Sequence, residues 1–142
     1  MAASAGLQVC LYDVRKEFLT AGMDGVVSSL NRIAAKKYAT DEKAAKAHVS
    51  NIVSRISLTT DVGFAAKEAD LVVEAIVENL PVKQEIFKRI DAIAPAKCIF
   101  ASNTSSLSIG DIAAQTSPER RAAFAGLHFF NPVPMMKLAS SK

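Results

Sequence analysis

Few groups in this chain can do chemistry, and their spacing makes some of them worth following. His128 stands in the apolar run Ala122 to Phe129, and an imidazole titrates close enough to neutrality to take up a proton. A lone histidine in such a run is more often a packed core residue than a catalyst, so position by itself leaves both roles open. Upstream lies the polar turn Ser102-Asn103-Thr104-Ser105-Ser106, whose side chains can bond a ligand or satisfy the turn's own amides. Asp13 ends another apolar run just before a helical pattern. It can cap that helix or accept hydrogen bonds from sugar hydroxyls, and position weighs the two about evenly. Glu78 and Lys83 read by themselves as a loop acid and a first-turn lysine in solvent. His48 reads as an exposed helix residue. Cys10 and Cys98 sit in separate apolar runs with no CxxC pair, so two buried reduced thiols are expected and no structural metal.

The elements that must position these groups follow from hydrophobic periodicity. With 142 residues, half of them hydrophobic and 22% charged, the chain has the size of one ordinary domain and excludes disorder and low-complexity architectures. Its 17 basic and 14 acidic residues leave a formal charge of +3, with no basic and aromatic stripe for nucleic acid. No apolar run approaches the roughly 20 residues that span a bilayer, so no membrane insertion is expected. Met1 to Leu11 carries no Lys or Arg, so neither a secretory nor a mitochondrial leader is expected there.

Leu7 to Tyr12 reads as a buried strand. Met23, Val26, Val27, Leu30, Ile33 and Ala34 form one apolar helical face reaching about Tyr38, with Lys36 and Lys37 in the last turn, where the dipole favours cations. Thr40-Asp41 caps a second helix over 42–53, making a helical hairpin between strands. Strands follow at 55–59, 71–75, 98–101 and 122–129, separated by helices over 62–67, from Asn79 and Pro81 to Pro95, and over 108–115. Alternation of this kind predicts parallel pairing in an open, doubly wound α/β sheet. Ligands of such sheets bind outside the carboxyl ends of the strands, which selects Asp13, the segment Glu74 to Glu78, Ser102 to Ser106 and His128 to Asn131 as one rim.

Three segments on that rim, VVEAIVENLPVKQEIFKRID (Val72 to Asp91), FASNTSSLSI (Phe100 to Ile109) and GLHFFNPVPMMKL (Gly126 to Leu138), closely resemble the NAD-binding domain of L-3-hydroxyacyl-CoA dehydrogenases, in order and spacing. The resemblance runs from about residue 2 to Leu138. It implies a Rossmann-like doubly wound parallel sheet with a helical hairpin insertion, NAD as cofactor, and oxidation of (S)-3-hydroxyacyl-CoA in fatty-acid β-oxidation, in the mitochondrial matrix. By the same resemblance His128 matches the general base, and Ser105 bonds the substrate oxygen and lies against the cofactor. Asp13 would bind the adenosine ribose and disfavour NADP. Glu78, Lys83 and Asn131 would contact the cofactor, while Asn103 shapes the substrate loop. Ser29 and Lys36 match positions that contact coenzyme A.

The departures from the family also generate expectations. The resemblance puts a first strand and a GxGxxG turn ahead of the segment that begins here at Met1, so residues 1–138 read as an incomplete NAD-binding domain. With strand order 3-2-1-4-5-6, the second and fourth strands then lose their shared neighbour. Unsatisfied strand edges, at roughly 1–3 kcal/mol per buried group, predict poor folding or rearrangement. Beyond the MMKL run the family has a glutamate that orients the histidine; here spacing puts Ser140 in its place, in a tail over 139–142 that reads as divergent. A hydroxyl cannot stabilise an imidazolium as a carboxylate can, so impaired catalysis is expected. The family's C-terminal helical domain, which builds its homodimer, has no counterpart here. The alternative reading is a non-catalytic remnant that binds coenzyme A, NAD or a full-length dehydrogenase subunit.

Overall fold

The structure, a computed structural model, describes residues 1–129 and, by backbone alone, 139–141. It divides into two compact units, Met1–Ala65 and Ala66–Lys142.

The first unit opens on a 3-10 turn, Ala3–Ala5, closed by Gly6 at φ 95°, a left-handed conformation that glycine adopts without a Cβ penalty. Strand β1 (Val9–Tyr12) runs parallel to β2 (Ile56–Thr59), in register from Val9 opposite Ile56 to Tyr12 opposite Thr59. Between them lies the expected hairpin of α1 (Lys16–Lys37) and α2 (Glu42–Val53). Asp41 caps α2 by accepting from the Ala44 N–H at 2.8 Å, as its sequence position predicts. Every fourth residue from Val26 through Leu30 and Ala34 of α1 to Tyr38, which caps that helix, packs with Ala3, Val49 and Ile52 into this unit's core. The apolar face is narrower than periodicity suggests, because Ile33 remains 47% exposed. His48 is a second difference: it is half-buried, its ring 5.3 Å from that of Tyr38. Cys10 is half-buried, whereas Cys98 of the second unit is buried as expected; burial pushes the Cys98 thiol pKa up.

After the short helix α3 (Val62–Ala66), the second unit alternates β3 (Leu71–Glu74), α4 (Leu80–Asp91), β4 (Ile99–Ser102), α5 (Ile109–Ala113), α6 (Pro118–Ala122) and β5 (Phe124–Phe129). The order is β3-β4-β5-β6, with the first three parallel. Strand β6 (Ala139–Ser141) lies antiparallel on β5, where sequence reading placed a divergent tail and parallel pairing throughout. Helix α6 takes Ala122 out of the expected last strand; Ser117 caps it through the Arg120 N–H, and Pro118 occupies its first turn. On β3, Leu71 and Val73 stay exposed, at 52% and 41%.

Phe87, Phe100 and Phe124 join α4, β4 and β5, with ring centroids 4.5 to 6.0 Å apart. The buried Arg120 lies over the Phe100 ring, its guanidinium carbon 4.3 Å from the centroid. It pairs with Asp91 at 2.8 Å and donates to the carbonyls of Pro95, Ala96 and Cys98, which closes the turn leading into β4. Burial would push the Asp91 carboxyl up, yet bonds from Arg120 and Ser117 outweigh it and hold its pKa below the ordinary value. Phe87 is fully buried at the meeting point of three elements, so Phe87→Ala should cost about 3–5 kcal/mol. Urea unfolding followed by circular dichroism checks this as a lower transition midpoint.

Candidate active site

In the second unit, the segments that leave the carboxyl ends of β3 and β4 carry Glu78, Asn103 and Ser105, at the place where parallel sheets bind ligands. Glu78, in the segment between β3 and α4, gathers the turn after β4. Its Oε1 accepts from the amides of Ser105 at 3.1 Å and Ser106 at 3.2 Å, from the Ser106 hydroxyl at 3.2 Å, and from the Thr104 hydroxyl. Its Oε2 pairs with the Lys83 ammonium at 2.9 Å. The Thr104 bond, followed by the Lys83 bond, holds the Glu78 carboxyl down to about 2. Glu78 engages the Ser105 amide, and the exposed side chain of Ser105 projects from a turn fixed by that bond.

Lys83 is not the solvated first-turn lysine that its sequence position suggests. Its side chain is fully buried, and the ammonium lies 3.1 Å from both oxygens of Glu74 as well as 2.9 Å from Glu78. Those three carboxylate oxygens match the three N–H donors of an ammonium. Glu74, the buried last residue of β3, also accepts from the Ile76 amide at 2.6 Å and from the Ser102 hydroxyl. Asn79 caps α4 and starts the helix that carries Lys83 back under the rim. Glu74, Ser102 and Thr104 were not singled out individually by sequence reading. The available signal was an acid inside a β-branched run with a lysine nine residues on.

His128 is half-buried near the end of β5, with Ser140 of β6 as its register partner. The turn after β4 is tied to this strand through Asn103, whose Oδ1 accepts from the Phe129 amide at 2.9 Å; the Asn103 amide in turn donates to the Glu74 carbonyl at 2.8 Å. One end of one sheet thus gathers Glu78, Lys83, Asn103, Ser105 and His128. Asn131 lies outside the described residues.

The remaining candidates belong to the first unit. Asp13 is half-buried at the end of β1, and its Oδ1 accepts from the Arg15 amide at 2.9 Å rather than capping α1 from the cap position, which Arg15 occupies. A carboxylate has about four lone-pair sites, so Asp13 keeps acceptor capacity for a vicinal diol. Ser29 is half-buried and Lys36 exposed on α1. Seven residues apart, they share a helix face, about 10 Å from one another along the axis.

Two measurements test this electrostatic account. The Glu78 carboxyl titrates below its unfolded value, so the bonds to its charged form contribute fully above about pH 4.5 and are lost as pH falls towards about 2. Thr104→Val should raise that carboxyl pKa, read by NMR titration of the side-chain carbon, with the Ser105 and Ser106 amides reporting the same transition. Lys83→Met leaves the buried Glu74 without its counter-ion, which should cost about 3–5 kcal/mol in denaturant unfolding.

Comparison with known proteins identifies the family and the fold. Residues 1–140 match the family described as 3-hydroxyacyl-CoA dehydrogenase, NAD binding domain. The mitochondrial hydroxyacyl-coenzyme A dehydrogenase of Sus scrofa is 49% identical over 138 residues, covering 97% of this chain and 43% of the relative. A probable 3-hydroxybutyryl-CoA dehydrogenase of Bacillus subtilis is 44% identical over 137 residues, 96% of this chain and 45% of that protein. The crystal structure of 3-hydroxybutyryl-CoA dehydrogenase from Escherichia coli superposes with a TM-score of 0.84 at 40% identity, covering 99% of this chain and 28% of that one. The chain therefore spans less than half the length of these relatives, and it belongs to the NAD-binding domain family of the 3-hydroxyacyl-CoA dehydrogenases.

Proposed function

We propose that this chain supplies the dinucleotide-binding and proton-transfer side of an enzyme that oxidises (S)-3-hydroxyacyl-CoA to 3-oxoacyl-CoA with NAD. The observation that carries the proposal is the Asn103 bridge to the Phe129 amide. It joins the turn bearing Ser105 to the strand bearing His128 at the carboxyl end of adjacent parallel strands. The residues suit the cofactor chemically. Asp13 has the acceptor capacity for ribose hydroxyls, and its negative charge opposes a 2′-phosphate. Bound NAD would accept the hydride that leaves C3 of the substrate.

The chain's own groups do the rest. His128 takes the proton of the C3 hydroxyl, a role that imidazole fills near neutral pH. Ser105 holds the substrate oxygen by its exposed hydroxyl, on a turn that Glu78 keeps in place. Glu78 bounds the nicotinamide end; Lys83, fully buried, reaches it only through its ion pair with Glu78 and not by the direct cofactor contact that the resemblance implied. Asn131 completes the cofactor contacts, and Asn103 shapes the substrate loop. Ser29 and Lys36, on one face of α1, receive the coenzyme A portion, the lysine by charge on a phosphate. An acyl-CoA substrate, a homodimeric assembly and a mitochondrial matrix location belong to the same proposal. The mitochondrial names of the mammalian relatives support that location, while bacterial relatives have the same domain.

The test is NADH binding by fluorescence together with NADH consumption in the presence of acetoacetyl-CoA. NADH should bind more tightly than NADPH, and Asp13→Ala should narrow that preference. Any turnover should fall roughly 10²–10⁴-fold in His128→Gln. Binding of NADH and acetoacetyl-CoA with no turnover would favour the non-catalytic alternative. Failure of the wild-type chain to bind either would overturn the proposal.

A further inference from the structure

Glu74 is the buried end of a series of contacts that finishes at the Ser105 turn. Its side chain is 4% exposed, yet it is bonded on every side: Ile76 N–H and Lys83 Nζ on Oε1, Ser102 Oγ and Lys83 Nζ on Oε2. Its carbonyl accepts from the Asn103 amide at 2.8 Å, so one residue ties the segment after β3 to the start of the turn after β4. Lys83 continues to Glu78 at 2.9 Å, and Glu78 collects Thr104, Ser105 and Ser106.

Charge balance alone does not account for this arrangement. A single carboxylate neutralises a lysine, and Glu78 already stands within ion-pair distance of this one. A second carboxylate, itself buried, brings its own desolvation cost. What it adds is geometry. A lysine ammonium rides on a flexible four-carbon stem, and two opposing acceptors fix it where one would let it swing. We infer that Glu74, seated by Ser102, is a positioning residue: it sets where the Lys83 ammonium meets Glu78, and through Glu78 it sets the Ser105 turn. The link among these side chains stands by itself; only its bearing on cofactor binding rests on the function proposed above.

Hydrogen exchange of the wild-type chain, of Glu74→Gln and of the charge-balanced double variant Glu74→Gln/Lys83→Met separates this role from support of the fold. Glu74→Gln keeps the side chain's shape while removing its charge. It should speed exchange of the Ser105 and Ser106 amides about tenfold, leave the α4 and β4 amides within twofold, and weaken NADH binding about tenfold. The double variant should regain resistance to urea without regaining slow exchange in the turn. Ser102→Ala should move the same two amides in the same direction, by less.

Unchanged Ser105 and Ser106 exchange in Glu74→Gln would overturn the inference. So would uniform acceleration across the unit, or recovery of slow turn exchange in the double variant, because each makes Glu74 a support of the fold alone. If the wild-type chain fails to bind NADH while the amides respond as expected, the positioning link stands and the proposed function falls.

Discussion

A buried ammonium held between two carboxylates is the constraint on which the second unit's rim depends. Lys83 has no exposed surface, so its charge must be met inside the protein. Glu74 meets it from the end of β3 and Glu78 from the segment beyond. Charge-assisted hydrogen bonds are stronger than neutral ones and demand closer geometry, and each carboxylate here also gathers neutral donors from the turn after β4 or the strand beneath it. The polar cluster thus converts a charge-balancing requirement into a defined loop conformation. Partly satisfied, such a network would cost more than an apolar core; well satisfied, it specifies one arrangement.

Beneath that cluster the packing is conventional and aromatic. Phe87, Phe100 and Phe124 lock α4 against β4 and β5, and Arg120 covers Phe100 while bonding the carbonyls that lead into β4. Helix α4 therefore serves both layers: Phe87 enters the apolar core, and Lys83, one helical turn earlier, enters the polar cluster. The spacing of four residues puts both on the buried face. A shift of α4 would disturb core and rim together, which couples stability of this unit to the geometry of its candidate site.

Much of the organisation was legible because it rests on local chemistry. The hairpin could be read from Asp41 as a cap and from the apolar repeat of α1, since both signals act within a few residues. Pro81 and Asn79 announced α4 in the same way. Helix α6 was missed although Ser117-Pro118 offers the same kind of signal, because the apolar run behind it suggested strand as far back as Ala122. Strand β6 could not be read locally. Its three residues are small, one alanine and two serines, and their pairing with β5 is a long-range event in which backbone, not side-chain pattern, makes the contact.

By itself the sequence determined the alternation of elements, the family and the residues that belong at the carboxyl ends of strands, because periodicity, capping and motif order are carried along the chain. Only the tertiary structure decided what those residues do to one another. Lys83 and Glu78 read as two solvated charges until α4 packs and brings the lysine beneath the rim. Glu74 read as part of a β-branched strand until Ser102, twenty-eight positions away, and Lys83 close around it. The physical reason is desolvation: whether a charge is surrounded by water or by opposite charge depends on burial, and burial is a property of the packed chain rather than of any short stretch of it.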